Sequence, residues 1–586
     1  VEQVVLKAMD RDPARRYASA RAFAEDLDAW LDDRPIAARR GAVTRALRRR
    51  IRGNPRLVGA LGLVLLAAVG VAGVVGMDAQ RERRATEDRV RAARDVMKVS
   101  VQALLELRRA AANDRMSDFL PDIEAAHRSG PSSADLDYLL GLAYRIVLDD
   151  ARALRMQESA LAKEPRHANA RYEVALLRSR RGLPPGPVDG LTEAKRLVLQ
   201  GGTEALGRAV ELNPRLEEAW EGLGLAWLAA AKPMDAPGVQ DAALAKAEAA
   251  FTEGASHDRG YAPHYLGRGR VRTARAELLR ETGRDPAPIF ETAEDDFKAA
   301  ILMGGPVFTA RAELRLLRAL HRAALGENPR PHFDEALADL EEALKRSPED
   351  PAALALRARL RAAEAEVGGD PLAAFRLGEP DAAAAGPAAW AVRGGLWALR
   401  ASARAEKGEA AEEDFIRAEK FLDDALRARP GDPEVLERRA WARLLRARAA
   451  TGNVGELLEQ AEADLEKAVA ATVFFPRARL TRAAVRRLKA VVQEKAGGPS
   501  LETLRSAAED LMWVLGTNPM SYQAWAERGY VELEAGRQRT RAGDRFGARE
   551  PFTQAVRSFE EAARLNGRLA AALREPLREA RRALLP

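Results

Sequence analysis

Few residues in this 586-residue chain are of a type and spacing that could do chemistry. Six histidines are scattered, and the closest pair, His257 and His264, straddles Pro263 with no carboxylate at ligand spacing. No metal site is expected there, and both rings read as solvent-facing. Acid pairs recur at Asp295-Asp296, Glu341-Glu342 and Asp423-Asp424. They fall at equivalent places in a repeating pattern, so they read as a solvated helix face rather than a glycosidase-type dyad. Trp220, Trp227, Trp390, Trp397, Trp441 and Trp525 lie on predicted helices and read mostly as packing residues, a minority being free to hold a ligand. Two arginine-rich stretches (Arg268, Arg270, Arg272, Arg275; Arg438, Arg439, Arg443, Arg446) have the charge to bind an acidic peptide tail. The chain has no cysteine, which excludes disulfides and thiolate metal sites. There is no phosphate-binding G-x-x-x-x-G-K-[ST] loop, and no cofactor is expected in this chain.

The elements that would position these residues repeat. One half-unit reads A-x3-[FL]-x2-A-x4-[PG]: Ala293, Phe297, Ala300, Gly305; Ala336, Leu340, Ala343, Pro348; Ala418, Leu422, Ala425, Pro430; Ala507, Leu511, Val514, Pro519; Ala555, Phe559, Ala562, Gly567. The other reads W-x2-L-G-x2-[YW], whole in Trp220, Leu223, Gly224 and Trp227. Degenerate copies fall at Trp390, Gly394 and Trp397, at Leu266 and Gly267, and at Tyr522, Trp525 and Gly529. Small positions let two helices approach and large ones fill the gap between them, and a lone pair cannot bury its apolar face, so neighbours must stack. The two half-units together resemble the tetratricopeptide (TPR) repeat, a helix–turn–helix unit. Copies end at 165, 214, 259, 305, 348, 430, 473, 519 and 567, mostly 43 to 49 residues apart, against about 34 in that family. Nine or ten units are expected. The single 82-residue step predicts one decayed unit around 351–387, and the excess length is expected in extended turns such as 278–292.

Ahead of the repeats, Leu57 to Met77 is 21 residues without a charge. As a helix it reaches about 31 Å, close to the roughly 30 Å thickness of bilayer hydrocarbon, and is predicted to span a membrane. The net charge of +7 and pI of 9.6 do not point to nucleic acid. Nine arginines and no acid lie within 34–56, among them Arg45, Arg48, Arg49, Arg50, Arg52 and Arg56, and without them the chain is near neutral. Such a stripe is drawn to anionic headgroups by about 1 kcal/mol per residue. Lys and Arg number eight in 37–56 and six in 78–97, which favours a cytoplasmic N-side. Ala68, Ala72 and Gly76 form a small-residue ridge on which a homodimer could pack. Residues 79–113 lack Pro and Gly and read as a helical stalk with a stripe of Val90, Ala93, Met97, Val101, Leu104 and Leu105.

The first 33 residues read as two short amphipathic helices broken at Pro13, with Ser19 as N-cap of the second. LKAMDRDPARRYASARAFAEDLDAWLDDRPIAAR resembles the C-terminal end of bacterial serine/threonine protein kinases, Asp12, Pro13 and Arg16 matching the family's D-P-x-x-R pattern. The resemblance implies that Arg16 is an internal structural residue and that a basic stretch, one membrane helix and helical repeats follow, as in planctomycete-type kinases. The Gly-rich loop, strand Lys, H-R-D-x-x-x-x-N loop and D-F-G that phosphoryl transfer needs do not occur. His257-Asp258-Arg259 has the wrong order. ATP and Mg would enter only through catalytic lobes upstream of Val1, a residue that reads either as a GTG start or as the first of a downstream piece.

The expectation is therefore an all-α, TPR-like solenoid behind one transmembrane helix. Its parts are a kinase-tail remnant (1–33), a basic juxtamembrane segment (34–56), the membrane helix (57–77), a stalk (78–130) and the repeat array (131–586). The stub would be cytoplasmic and the array extracytoplasmic, binding a protein or peptide, with the bilayer as second partner and no nucleic acid. The alternative is the sensory and anchoring half of a receptor-like serine/threonine kinase.

Overall fold

The computed structural model describes residues 116–585, apart from 130–131, 147–148, 185–190, 304, 306, 450–452 and 499, and before them only 8–9, 19, 21–24 and 95. The Asp12-Pro13-Arg16 pattern, the basic segment, the run Leu57–Met77 and most of the stalk lie outside the described residues. Among the described residues no helix is long and apolar enough to cross a membrane.

Contacts divide the chain into two units, Val1–Val101 with Asp122–Leu140, and Gln102–Pro121 with Gly141–Pro586. In the first, Ser19 Oγ accepts the Ala22 N–H at 3.2 Å, the N-cap expected there, and the His127 ring lies 2.7 Å from the Asp137 carboxylate.

Every element described is helical. Helices α1 (Met116–Ser129), α2 (Ala134–Ile146) and α3 (Asp150–Lys163) come first. Helix α4 (Ala168–Arg180) then faces a broken second helix, α5 (Glu193–Gln200) with α6 (Thr203–Leu212). Regular pairs follow: α7 (Glu217–Ala230) with α8 (Pro237–His257), α9 (Ala262–Glu281) with α10 (Ala287–Leu302), and α11 (Phe308–Ala324) with α12 (Arg330–Arg346). Next come α13 (Pro351–Glu366) with α14 (Pro371–Ala384), α15 (Trp390–Glu406) with α16 (Glu412–Ala428), and α17 (Pro433–Arg448) with α18 (Val454–Ala470). Helices α19 (Pro476–Lys495) with α20 (Leu501–Thr517) and α21 (Tyr522–Arg541) with α22 (Arg545–Leu565) complete the stack, and α23 (Ala570–Ala583) covers its end. Among the described residues, nine pairs thus run from α4 to α22.

Local chemistry explains the boundaries. Asp350, Asp370, Asp432, Asn453, Ser521 and Asp544 each accept an N–H of the first turn of their helix. Within each pair the second helix puts its motif inward: Ala293, Phe297 and Ala300 are fully buried, as are Ala336 and Leu340, Ala418 and Leu422, and Ala555, Phe559 and Ala562. Facing them, the first helices carry small residues. A Cβ on Gly267 would come within 2.2 Å of the Phe251 ring, and one on Gly269 within 2.7 Å of Phe297.

One expectation is corrected and one is met. The extra length of each unit resides in the helices, α8 and α22 having 21 residues, whereas the turn within 278–292 shrinks to 282–286 because Pro288 sits where a helix can begin. The 82-residue step holds the unit expected there, the pair α13–α14, in which Gly378, Ala382 and Ala385 replace the Ala, Phe and Ala of the motif. The side chains lost bulk while the helices persisted.

Repeats far apart in sequence also touch. Asn518 Nδ2 donates to the Arg280 carbonyl at 3.1 Å, 238 residues away, and Asn566 Nδ2 to the Ala323 carbonyl at 3.0 Å, 243 residues away. Each asparagine caps the open end of α9 or α11, beside Gly283 (φ +71°) and Gly326 (φ +73°), where a Cβ would meet the asparagine Oδ1 at 2.5 and 2.8 Å. A third contact of the same reach joins the Met234 carbonyl to the N–H groups of Val473 and Phe474 at 3.1 and 3.0 Å. At this seam burial raises the Glu281 carboxyl to about 7, with Glu277 and Glu434 pushing the same way against Arg280 and Arg477.

Loss of either cap, Asn518→Ala or Asn566→Ala, is expected to remove about 1 kcal/mol locally. Amide hydrogen exchange should speed up around 280–284 or 323–327 respectively; unchanged exchange would refute the capping role. Glu281 keeps its proton in the folded seam up to about pH 7, whereas an exposed Glu releases it near pH 4.3. The folded form therefore binds more protons in that window, and protection should fall as pH rises through it. Glu281→Gln should abolish the dependence once intrinsic exchange rates are corrected.

Candidate interaction surface

The first helices of the pairs carry the array's cations, and the structure shows where those charges go. Seven of them place an arginine directly before the small residue that packs on the partner helix: Arg268, Arg311, Arg357, Arg393, Arg439, Arg482 and Arg528. In five of these pairs the second helix answers with an aspartate three residues after its first motif position: Asp296, Asp339, Asp381, Asp464 and Asp510. Arg439 forks onto Asp464 with Nε and Nη2 both at 2.7 Å, and Arg357 onto Asp381 at 2.6 and 2.7 Å. A second arginine one turn on joins four of the aspartates: Arg272, Arg315, Arg443 and Arg486 reach Asp296, Asp339, Asp464 and Asp510 at 2.7–2.9 Å. The same four also pair with a glutamate of the preceding second helix, Glu248, Glu294, Glu419 and Glu462, at 2.7–3.0 Å. Each such guanidinium bridges two neighbouring pairs.

The acid pairs are therefore not a uniform solvated face. Asp295 is exposed and pairs with Lys298, while the Asp296 side chain is 4% exposed between two guanidiniums. Successive residues of a helix point about 100° apart, so one acid of a doublet can be buried while its neighbour is wet. Burial lifts the Asp296 carboxyl above its ordinary value, and Arg268 and Arg272 pull against it.

The arginine stretches are corrected likewise. Arg268 and Arg272 pair with Asp296, Arg275 with Asp241 and Glu248, Arg438 with Glu366, Arg439 and Arg443 with Asp464, and Arg446 with Glu412 and Glu419. Of those eight residues Arg270 alone has no ion pair among the described residues. Arg448, in the last turn of α17, has none among them either.

Burial by surrounding protein pushes both of these guanidiniums below their ordinary value. Glu313 alone opposes this at Arg270; at Arg448, Glu527 and Tyr530 oppose it and Arg487 adds to it. Both side chains nonetheless reach solvent. Earlier first helices are cross-linked instead: Arg145 joins Glu173 at 3.0 Å and Glu218 at 2.7 Å, and Arg180 and Tyr261 both hold Glu221.

The tryptophans pack. Trp220 and Trp525, equivalent in the repeat, donate Nε1–H to the Pro214 and Pro519 carbonyls at 2.8 Å. Lys246 lies over Trp227, and Trp397 is buried edge-on to Phe375. Trp390 and Trp441 lie half-buried against neighbouring core clusters. Gly224 is buried against Phe251 and Leu223 packs in the α4–α7 core. Ala425 is buried and Ala343 half-buried, whereas Pro348 and Pro430 are exposed. Those prolines stop helices without packing. Of the two histidines expected in solvent, His257 is exposed, but His264 is fully buried beneath Gly254 and edge-on to Tyr261. Among the described residues no group of His, Cys, Asp and Glu could hold a metal.

Sequence reasoning missed the bridges although their signal was present: Arg followed by Gly or Ala, recurring at the repeat spacing. The motif was set at Leu266 and Gly267, whereas the equivalents of Leu223 and Gly224 are Arg268 and Gly269.

No protein-family model and no curated protein matches the chain. Among solved structures, a thermophilic TPR protein of Thermus thermophilus is 22% identical over 39% of this chain and 98% of its own, with a TM-score of 0.24. The human IFIT1 dimer with m7Gppp-AAAA is 12% identical over 76% and 95%, with a TM-score of 0.37. Cut9–Hcn1 of the APC/C is 13% identical over 84% and 87%, with a TM-score of 0.39. Likeness at this level carries no argument about what the surface binds.

Asp296→Asn should leave two cations without their shared carboxylate and lower local stability by about 3–5 kcal/mol. Asp295→Asn, one residue away, should stay within about 0.5 kcal/mol. Hydrogen exchange in α9 and α10 distinguishes them, and equal effects would refute the bridge. Over its described residues the chain is an all-α, TPR-like solenoid of stacked helix pairs.

Proposed function

We propose that this protein is a membrane-anchored docking scaffold whose repeat array binds a protein or an acidic peptide and which performs no phosphoryl transfer itself. The observation that carries the docking surface is the contrast among the arginines of the first helices. Arg268, Arg272, Arg439 and Arg443 are neutralised within the fold, while Arg270 and Arg448 reach solvent with no acid paired to them among the described residues. A carboxylate arriving on a partner would relieve both. The anchor rests on Leu57–Met77: with that run in lipid, residues 1–33 and the basic segment 34–56 lie on the cytoplasmic side and the array outside, and Ala68, Ala72 and Gly76 offer a homodimer contact. No nucleic-acid partner is part of this reading. The second reading, the sensory half of a receptor-like serine/threonine kinase with catalytic lobes upstream, is favoured by LKAMDRDPARRY.

Two measurements test the proposal. The full chain should stay in the membrane pellet after alkaline carbonate washing, and deletion of 57–77 should release it; extraction of the full chain would overturn the anchor. A fluorescent Asp/Glu-rich peptide should bind the array in an anisotropy titration. Arg270→Ala and Arg448→Ala should each weaken binding by about threefold to tenfold, up to about 1.4 kcal/mol. An affinity unchanged in the double variant would overturn the surface.

A further inference from the structure

The pair of α4 with α5 and α6 lacks both the arginine and the aspartate, and three of the eight regular pairs also depart from the pattern, each differently. In α7–α8 both partners are apolar, Leu223 and Ala250. In α15–α16 the aspartate is replaced by Phe421, and Arg393 turns to Glu379 at 2.6 Å while its guanidinium lies 4.2 Å over the Phe421 ring. In the last pair, α21–α22, the arginine is kept and the acid is lost. Ser558 stands where Asp296, Asp339, Asp464 and Asp510 stand in other repeats. Ser558 is 1% exposed, and its hydroxyl has no hydrogen-bond partner among the described residues. The buried Arg528 Nε has none either, and among those residues no acid pairs with that guanidinium. The Arg528 guanidinium lies 5.7 Å from the Trp525 ring. Its Nε and the Ser558 hydroxyl, at repeat positions that elsewhere form an ion pair, nonetheless both lack hydrogen-bond partners among the described residues, which is costly unless something meets them.

We infer that Arg528 and Ser558 form an oxyanion slot in the terminal repeat, which takes a carboxylate or phosphate oxygen supplied from outside the fold. The five intact repeats show the geometry such a group adopts: two oxygens on the Nε and Nη2 fork, at 2.8 and 2.5 Å in the adjacent Arg482–Asp510 pair. Serine ends about where the aspartate Cγ would lie, so its hydroxyl can donate to an entering oxygen seated about 2.7 Å further on, towards the Arg528 fork. Glu532 takes the place of the second arginine, so the slot offers one guanidinium where its neighbours offer two. Burial and Glu550 raise the Glu532 carboxyl while Arg528 and Arg539 pull against them, so Glu532 competes with an entering anion for the Arg528 charge. Binding is therefore weaker than in the closed pairs and favours a compact group.

The test is hydrogen exchange over Tyr522–Leu565 of the full chain, in phosphate, acetate or chloride at equal pH and ionic strength. Phosphate or acetate should slow exchange in α21 and α22 several-fold relative to chloride. Ser558→Asp, which supplies the carboxylate covalently, should show that protection already in chloride and gain nothing from either oxyanion. Arg528→Gln should not respond, and Ser558→Ala, which keeps the fork, should retain part of the response. A Glu-terminated peptide that protects at far lower concentration than phosphate identifies an acidic side chain as the source, and protection by phosphate alone identifies a free anion. Equal exchange of the unmodified chain in all three salts, or a full oxyanion response in Ser558→Asp, would overturn the slot. Unchanged exchange in α9 to α12 certifies that each variant is folded.

Discussion

A guanidinium shared between the acids of two neighbouring helix pairs is the contact on which the array's geometry depends. Glu248–Arg272–Asp296, Glu294–Arg315–Asp339, Glu419–Arg443–Asp464 and Glu462–Arg486–Asp510 repeat the same bridge, from one second helix through the next first helix to its own partner. Apolar packing of Ala, Phe and Leu would hold the pairs together without it, as Leu223, Trp227 and Ala250 do in α7–α8. Buried ion pairs are seldom more stabilising than apolar residues of similar volume, but half of one is expensive to leave. The bridge therefore acts less as a source of stability than as a register mark: sliding one pair against the next would strand a buried charge.

That arrangement also decides what the surface offers to partners. Most of the positive charge that the sequence places on the first helices is consumed internally. What remains is sparse, and among the described residues it includes Arg270 and Arg448 beside solvent and Arg528 in the terminal repeat. The tryptophans add little, since they are committed to packing or to capping turns. The contacts from Met234, Arg280 and Ala323 to residues 238 to 243 positions later tie distant repeats together, so these first helices are braced at their ends as well as along their flanks.

The second helices were legible because their signal is apolar and local. Ala293, Phe297 and Ala300 sit on one face at helical spacing, and their burial follows from that spacing. The weak copy at 351–387 was legible only from the 82-residue gap, because its bulk was reduced to Gly378, Ala382 and Ala385 and volume was the cue for the motif. Charge was harder to read. Asp295 and Asp296 look alike in sequence, and only the position of Arg268 and Arg272 on another helix decides which is buried. The asparagine caps had no usable signal, since a contact over 238 residues depends on small rotations accumulated through several repeats. Asn518 and Asn566 resemble ordinary helix-end residues until those rotations bring them to α9 and α11.

The most direct test of the register claim is a double-mutant cycle on Arg357 and Asp381, an aspartate met by a single arginine fork. The variants are Arg357→Leu, Asp381→Ala and both together, imitating Leu223 with Ala250, and the readout is hydrogen exchange in α13 and α14. Each single change should lose protection and the double should recover most of it, a coupling of about 1–3 kcal/mol. A double variant that loses the sum of the two single effects would contradict the account.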